Sequence, residues 1–175
     1  VNFAGYNLPV FYKSIQEEHL AVRHNLGIFD VSHMGNFLFT AAKREELVSF
    51  FNYLLPNDFS NAQKGRCVYS TMLYEDGGCV DDLIVMFLDD HVAHVIVNAS
   101  NVEKDYYWIK SKVPNHIKFE NHSAAYGIIA VQGPKAKEFL TREFGFDVSG
   151  LSKFRVIKAQ YRKTEVIAAT TGYTG

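Results

Sequence analysis

Two adjacent carboxylates, Asp81 and Asp82, stand in the middle of Gly77-Gly78-Cys79-Val80-Asp81-Asp82-Leu83-Ile84-Val85, a stretch that is otherwise almost entirely apolar. An unpartnered buried carboxylate is expensive, so each must meet an opposite charge, a set of N–H donors or a ligand. Strand side chains alternate between faces, which sends Asp81 with Cys79, Leu83 and Val85, and Asp82 with Val80, Ile84 and Met86. A proton-sharing dyad on one face is thereby disfavoured. One of the pair is expected to be structural and the other functional: Asp81 reads as structural, and Asp82 reads equally as a ligand-facing carboxylate or as a buried one held by backbone N–H bonds from a turn.

The turn at Glu75-Asp76-Gly77-Gly78 predicts a hairpin between Cys67–Tyr74 and Cys79–Leu88. A two-residue turn at either Asp76-Gly77 or Gly77-Gly78 places Tyr69 on the face of Asp82. A carboxylate beside a phenol on an otherwise apolar face suits a flat polar heterocycle: the carboxylate accepts its N–H groups and the walls cover its rings. Asn98, at the end of the next strand, joins that face if the Asp89-Asp90-His91 loop uses three residues or a bulge, and the face of Asp81 if it uses two.

Other reactive residues are less well arranged. Ser32 and His33 are neighbours on extended chain and face opposite ways, and no Gly-x-Ser-x-Gly elbow is present, which argues against nucleophilic hydrolysis. His91 and His94 are three apart on a strand with no accompanying Cys/His cluster, so a surface or capping role is expected rather than a metal site. Lys104 and Asp105 read as a solvated helix face. With Tyr74 paired to Cys79, Cys67 lies roughly 23 Å along the strand, far beyond the ~7 Å Cα separation of a disulfide. Two free thiols fit a reducing compartment.

The elements that must hold these groups follow in order. Ser14-x-x-Glu17 is a capping box opening a helix over 14–26, and Ile28 to Phe39 is extended and broken near Gly35. Leu47, Phe50, Phe51 and Leu54 form the apolar stripe of a helix over 43–54, closed by Pro56. Strands are expected at 67–74, 79–88 and 92–98. Ser100-x-x-Glu103 is a second capping box for a helix to about 112. An apolar β-rich run at 124–131 precedes a helix after Gly133-Pro134, and strands at 155–161 and 165–171 end the chain. Sequential hairpins with few βαβ units indicate an α+β fold with mostly antiparallel sheets and flanking helices.

The chain has 175 residues, enough for a full-sized core, and its 18 basic against 19 acidic residues supply no basic field for nucleic acid. No apolar run approaches the ~20 residues of a membrane helix, and no signal or transit segment is visible. The start at Val1 without methionine, and the stop just after a strand, read as a piece of a longer protein.

Several blocks combine in order along the chain: Phe3-Ala4-Gly5-Tyr6 with Pro9, Phe29-Asp30-Val31-Ser32-His33-Met34, Gly77-Gly78 with Asp81-Asp82-Leu83, Val97-Asn98-Ala99, Glu103-Lys104-Asp105, Gln132-Gly133-Pro134 and Thr171-Gly172-Tyr173-Thr174-Gly175. Together they resemble the T-protein family of the glycine cleavage system, the tetrahydrofolate-dependent aminomethyltransferases, over roughly its amino-terminal half. The resemblance implies a fragment of a three-domain, folate-binding fold, with residues 1–36 and 124–175 in one domain and 37–123 forming an inserted α+β unit. It implies transfer of a one-carbon unit from the aminomethyl-lipoyl arm of H-protein to tetrahydrofolate, with release of ammonia. By motif position Asp82 resembles the catalytic aspartate, and Met34, Leu38, Tyr69, Asp82 and Asn98 resemble folate-contacting positions, whereas Met86 replaces a tyrosine that some relatives carry. Because the family's later acidic and arginine motifs are absent, little catalysis is expected from the fragment alone. Related folate-dependent demethylases, the folate domains of sarcosine or dimethylglycine dehydrogenases, and non-catalytic folate-binding proteins are the alternatives. The implied location is the bacterial cytoplasm, or the mitochondrial matrix if the source is eukaryotic.

Overall fold

The computed structural model describes residues 1–174; Gly175, the end of the last motif, lies outside them. In chain order the elements are β1 (Asn2–Phe3), β2 (Tyr6–Asn7), α1 (Ile15–His24), β3 (Gly27–Asp30), β4 (Gly35–Thr40), α2 (Arg44–Leu54), β5 (Cys67–Leu73), β6 (Cys79–Phe87) and β7 (Val92–Val97). A 3-10 turn (Ala99–Asn101) then runs into α3 (Val102–Lys110), followed by β8 (Lys118–Asn121), β9 (Ile129–Gln132), α4 (Ala136–Phe144), β10 (Val156–Tyr161) and β11 (Thr164–Ala169). The four helices and the central strands stand where periodicity and caps put them. The short pairs β1–β2 and the strands β3 and β8 are too brief for a periodic signal.

The centre is a five-stranded sheet in the order β5-β6-β7-β4-β8, antiparallel throughout. One face carries Phe37, Phe39, Leu83, Val85, Phe87, Val95 and Val97 into the main core, where Leu47, Phe50, Phe51 and Leu54 of α2 and Ile109 of α3 meet them. The predicted stripe of α2 is the stripe that is buried. Separate pairs, β3 with β9 and β10 with β11, complete the sheets, so residues 27–30 and 129–132 join segments far apart in sequence.

Three local expectations are corrected. Leu73, not Tyr74, pairs with Cys79, because the turn spans Tyr74 to Gly78 with Gly77 at φ +87°. A bulge then restores the expected register, with Met72 opposite Asp81 and Tyr69 opposite Ile84. The extra residue is Val80, which turns into the main core while Cys79 is exposed, so Val80 does not share the face of Asp82. The second capping box does not form, since the cap of α3 makes no side-chain bond and the chain enters through the 3-10 turn instead. At the first box Ser14 caps α1, its Oγ accepting from the Glu17 N–H at 3.1 Å, which is the forward half of the expected pair of bonds.

Candidate functional site

The second face of the sheet can be read as rows of cross-strand neighbours. Tyr69, Ile84, Ile96 and Asn36 form one row; Cys67, Met86, His94 and Leu38 form another. Beyond the first row, Thr71 stands opposite Asp82, and continuing the β6–β7 register past Leu83–Val97 brings Asn98 opposite Asp82. The register follows from a three-residue loop, Asp89-Asp90-His91, closed by the Leu88 N–H donating to the Val92 carbonyl at 3.0 Å. His91 is held there by its N–H donating to the Asp89 carboxylate.

The face is sealed at one end and open at the other. Cys67, Met86, Leu88 and Val156 make a second core, with Phe154 and Ile167 of the carboxy-terminal segment packed over it. Burial there pushes the Cys67 thiol up to about 12, so it stays a neutral thiol. Met86 is part of this core. At the other end Tyr69 is 50% exposed and Asp82 only partly covered. Asp82 Oδ2 accepts from the Tyr69 hydroxyl at 3.1 Å and Oδ1 from the Asn98 side-chain amide at 2.9 Å. The hydrogen bond to Asp82, with the charge of that carboxylate, raises the Tyr69 phenol above its ordinary value. Asp82 therefore sits between a phenol and an amide with unused lone pairs on both oxygens.

Asp81 points to the opposite side and is 5% exposed. Its Oδ2 accepts from the Asn98 backbone N–H at 3.1 Å, and its Oδ1 from the Asn98 amide at 2.9 Å and the Asn101 amide at 2.7 Å. Burial raises this carboxyl, but bonds from Asp105, Asn98 and Asn101 outweigh it and hold Asp81 below the usual range. This is the donor set that an internal aspartate requires.

Asp105 corrects the reading of a solvated face: it is 0% exposed, and only Lys104 reaches outward, donating to the Val80 carbonyl. Asn101 and Asp105 were missed as site residues. Their signal was polar residues at 98, 101 and 105, helical spacing pointed at one aspartate. His94 is also corrected, being buried edge-on against Tyr126 with ring centroids 5.4 Å apart. His33 packs on Phe3 and Tyr6, and Ser32 Oγ accepts from the Ile128 N–H, so the two do no joint chemistry.

Of the other residues implied by resemblance, Met34 sits at the turn before β4, one position beyond the Gly35–Val97 pair and so level with Asn98. Leu38 shares the face but lies opposite His94, two rows away, roughly 13 Å along the strand from the level of Asp82. Gln132 Oε1 accepts from the Tyr173 N–H at 2.9 Å and from the Thr174 hydroxyl at 3.2 Å, tying two of the recurring blocks together. No metal-binding cluster of His, Cys, Asp or Glu exists among the described residues. No helix among them is long and apolar enough to cross a membrane.

These features define an α+β domain whose central antiparallel sheet presents a carboxylate, an amide and a phenol at the open end of one face. The chain belongs to the family described as the GCVT N-terminal domain, whose model matches residues 1–175. Aminomethyltransferases of Thermotoga maritima and Pelodictyon phaeoclathratiforme are 44% and 43% identical to it, each covering 100% of this chain and 48% of the relative. The chain thus spans about half the length of the curated relatives it matches. The crystal structure of glycine cleavage system aminomethyltransferase T from Bartonella henselae superposes with a TM-score of 0.82 at 28% identity, covering 90% of this chain and 43% of that one. Heterotetrameric sarcosine oxidase from Corynebacterium sp. U-96, with a TM-score of 0.60 and 13% identity over 90% of this chain and 77% of its own, shares the fold alone. The α+β fold and the T-protein resemblance read from the sequence are both borne out.

Proposed function

We propose that this chain carries the folate-facing half of an aminomethyltransferase and that Asp82 is its catalytic carboxylate. The carrying observation is the arrangement Tyr69–Asp82–Asn98: a carboxylate bracketed by two donors, half open, on a face sealed only at its far end. Its donor set fits a pterin-like ring, because both carboxylate oxygens keep a lone pair for ring N–H groups and the Tyr69 ring offers a flat wall. Tetrahydrofolate, when bound, supplies the ring nitrogen that takes up the one-carbon unit. Asp82 orients that nitrogen and stabilises or accepts the proton it sheds, while Tyr69 and Asn98 fix the carboxylate's rotamer. The donor in this reading is the aminomethyl-lipoyl arm of H-protein, with ammonia released, in the bacterial cytoplasm.

The same reading groups residues 1–36 with 124–175 and treats 37–123 as an inserted unit. It is supported by the β3–β9 pairing and by a main core drawn from Phe37 to Phe119.

Titration of the chain with tetrahydrofolate, followed by Trp108 and tyrosine fluorescence, tests the assignment. Saturable binding that Asp82→Asn abolishes supports it. Equal binding by both proteins, or none by either, removes it.

A further inference from the structure

Asp105 is fully buried, and neither of its carboxyl oxygens meets an N–H or O–H donor. It stands one helical turn after Asn101, whose amide reaches Asp81 Oδ1 at 2.7 Å, so the Asp81 carboxylate is the group its own carboxyl can bond to. Two carboxyls in contact cannot both ionise and hold one proton between them. Which one holds it is decided by the remaining partners. Asp81 accepts three N–H bonds, from the Asn98 backbone, the Asn98 amide and the Asn101 amide, whereas Asp105 accepts none. The negative charge therefore belongs to Asp81 and the proton to Asp105.

We propose that Asp105 is a positioning residue: its neutral carboxyl donates to Asp81, fixes that carboxylate, and so holds the Asn98 amide against Asp82. The consequence for chemistry rests on the reading of Asp82 given above; the hydrogen-bond arrangement does not. Asp81 of β6 faces Asp105, and the charges of Asp82, from the other face of β6, and of Lys104, the preceding residue of its own helix, act on it through space. Burial first, then the bond and charge of Asp81, push the Asp105 carboxyl up to about 8, with Lys104 opposing and Asp82 adding. Deprotonation would set two anions against each other at Asp81. Asn98 Nδ2, shared between Asp81 Oδ1 and Asp82 Oδ1, would then lose its fixed position.

The test is NMR of the chain labelled at aspartate carboxyls and asparagine amides. In the wild type the Asp105 carbon should titrate near pH 8, with the Asn98 side-chain amide shifts moving at the same pH. Asp105→Asn, whose amide still donates to Asp81, should keep the Asn98 shifts and remove their pH dependence. Asp105→Ala should displace them. Titration of Asp105 in the ordinary carboxylate range overturns the inference, as does an unmoved Asn98 amide in a folded Asp105→Ala protein. If Asp105→Ala does not fold, the wild-type titration decides, and Asn98 shifts that ignore the Asp105 transition overturn it. Tetrahydrofolate affinity is the second readout: near wild type in Asp105→Asn, weakened about tenfold or more in Asp105→Ala. Failure of the wild type to bind tetrahydrofolate counts against the proposed function alone, since the Asn98 shifts still report on Asp105.

Discussion

Asn98 Nδ2 lies 2.9 Å from Oδ1 of Asp81 and 2.9 Å from Oδ1 of Asp82, so one side-chain amide joins two carboxylates that their strand sends to opposite faces. It can do so because β7 ends at Val97: Asn98 has left the ladder, and its side chain lies across the end of β6. The buried and the open carboxylate are thus mechanically coupled.

Asp82→Asn should leave the fold intact, because Asp82 is partly exposed and outside the main core. General acid–base work by one positioned group is worth about 10²–10⁴ in rate, and turnover in the complete aminomethyltransferase should fall by at least that range. Steady-state kinetics beside a circular dichroism spectrum checks this, and near-normal turnover would refute it.

Asn98→Ala should destabilise as well as inactivate. It strips a buried Asp81 oxygen of one of its two amide donors, a loss of about 1–3 kcal/mol. Urea denaturation reads the change, and an unaltered midpoint would show that water replaces the amide without penalty.

Tyr69 should titrate above an ordinary tyrosine because the Asp82 carboxylate accepts its proton-bearing bond. Replacing Asp82 by Asn removes the negative charge that favours the neutral phenol, so the Tyr69 pKa should drop in that variant. Ring-carbon NMR of Tyr69 distinguishes it from the nine other tyrosines.

Stability should depend on pH through two buried groups of opposite sign. Asp105, raised from 3.8 to about 8, binds more protons folded than unfolded, so stability falls as pH rises between those values. His94, lowered from 6.5 to about 4 by burial and by the charges of His122 and Lys158, binds fewer, so stability rises across that window. The two slopes, each up to about 1.4 kcal/mol per pH unit, cancel between pH 4 and 6.5 and leave a decline from 6.5 to 8. Asp105→Asn should remove the decline, whereas His94→Phe should extend it down to pH 4. Urea midpoints across pH for the three proteins give the answer, and parallel curves would refute it.

Gly133→Ala should be severely destabilising. A Cβ there would lie 2.5 Å from the Asn25 carbonyl and 2.6 Å from that of Val22, at φ +118°. Backbone cannot retreat as a side-chain tip can, so strain of about 1–3 kcal/mol is a lower bound. Thermal unfolding measures it; a wild-type melting curve would mean that α1 sits differently against β9.

The sequence by itself determined the helices, the three central strands, the hairpin that puts Tyr69 beside Asp82, and the placing of Asp81 and Asp82 on opposite faces. Those follow from periodicity, caps and strand alternation, which act over a few residues and leave their mark on residue type. Tertiary structure alone decided the rest. The three-residue loop after β6 set the register that placed Asn98 level with Asp82; the Val80 bulge moved one side chain to the other face; and packing buried His94 and Asp105 despite their polarity. A one-residue change in loop length or bulge inverts a face, and burial of a titratable group depends on partners distant in sequence, so neither could be read from local pattern.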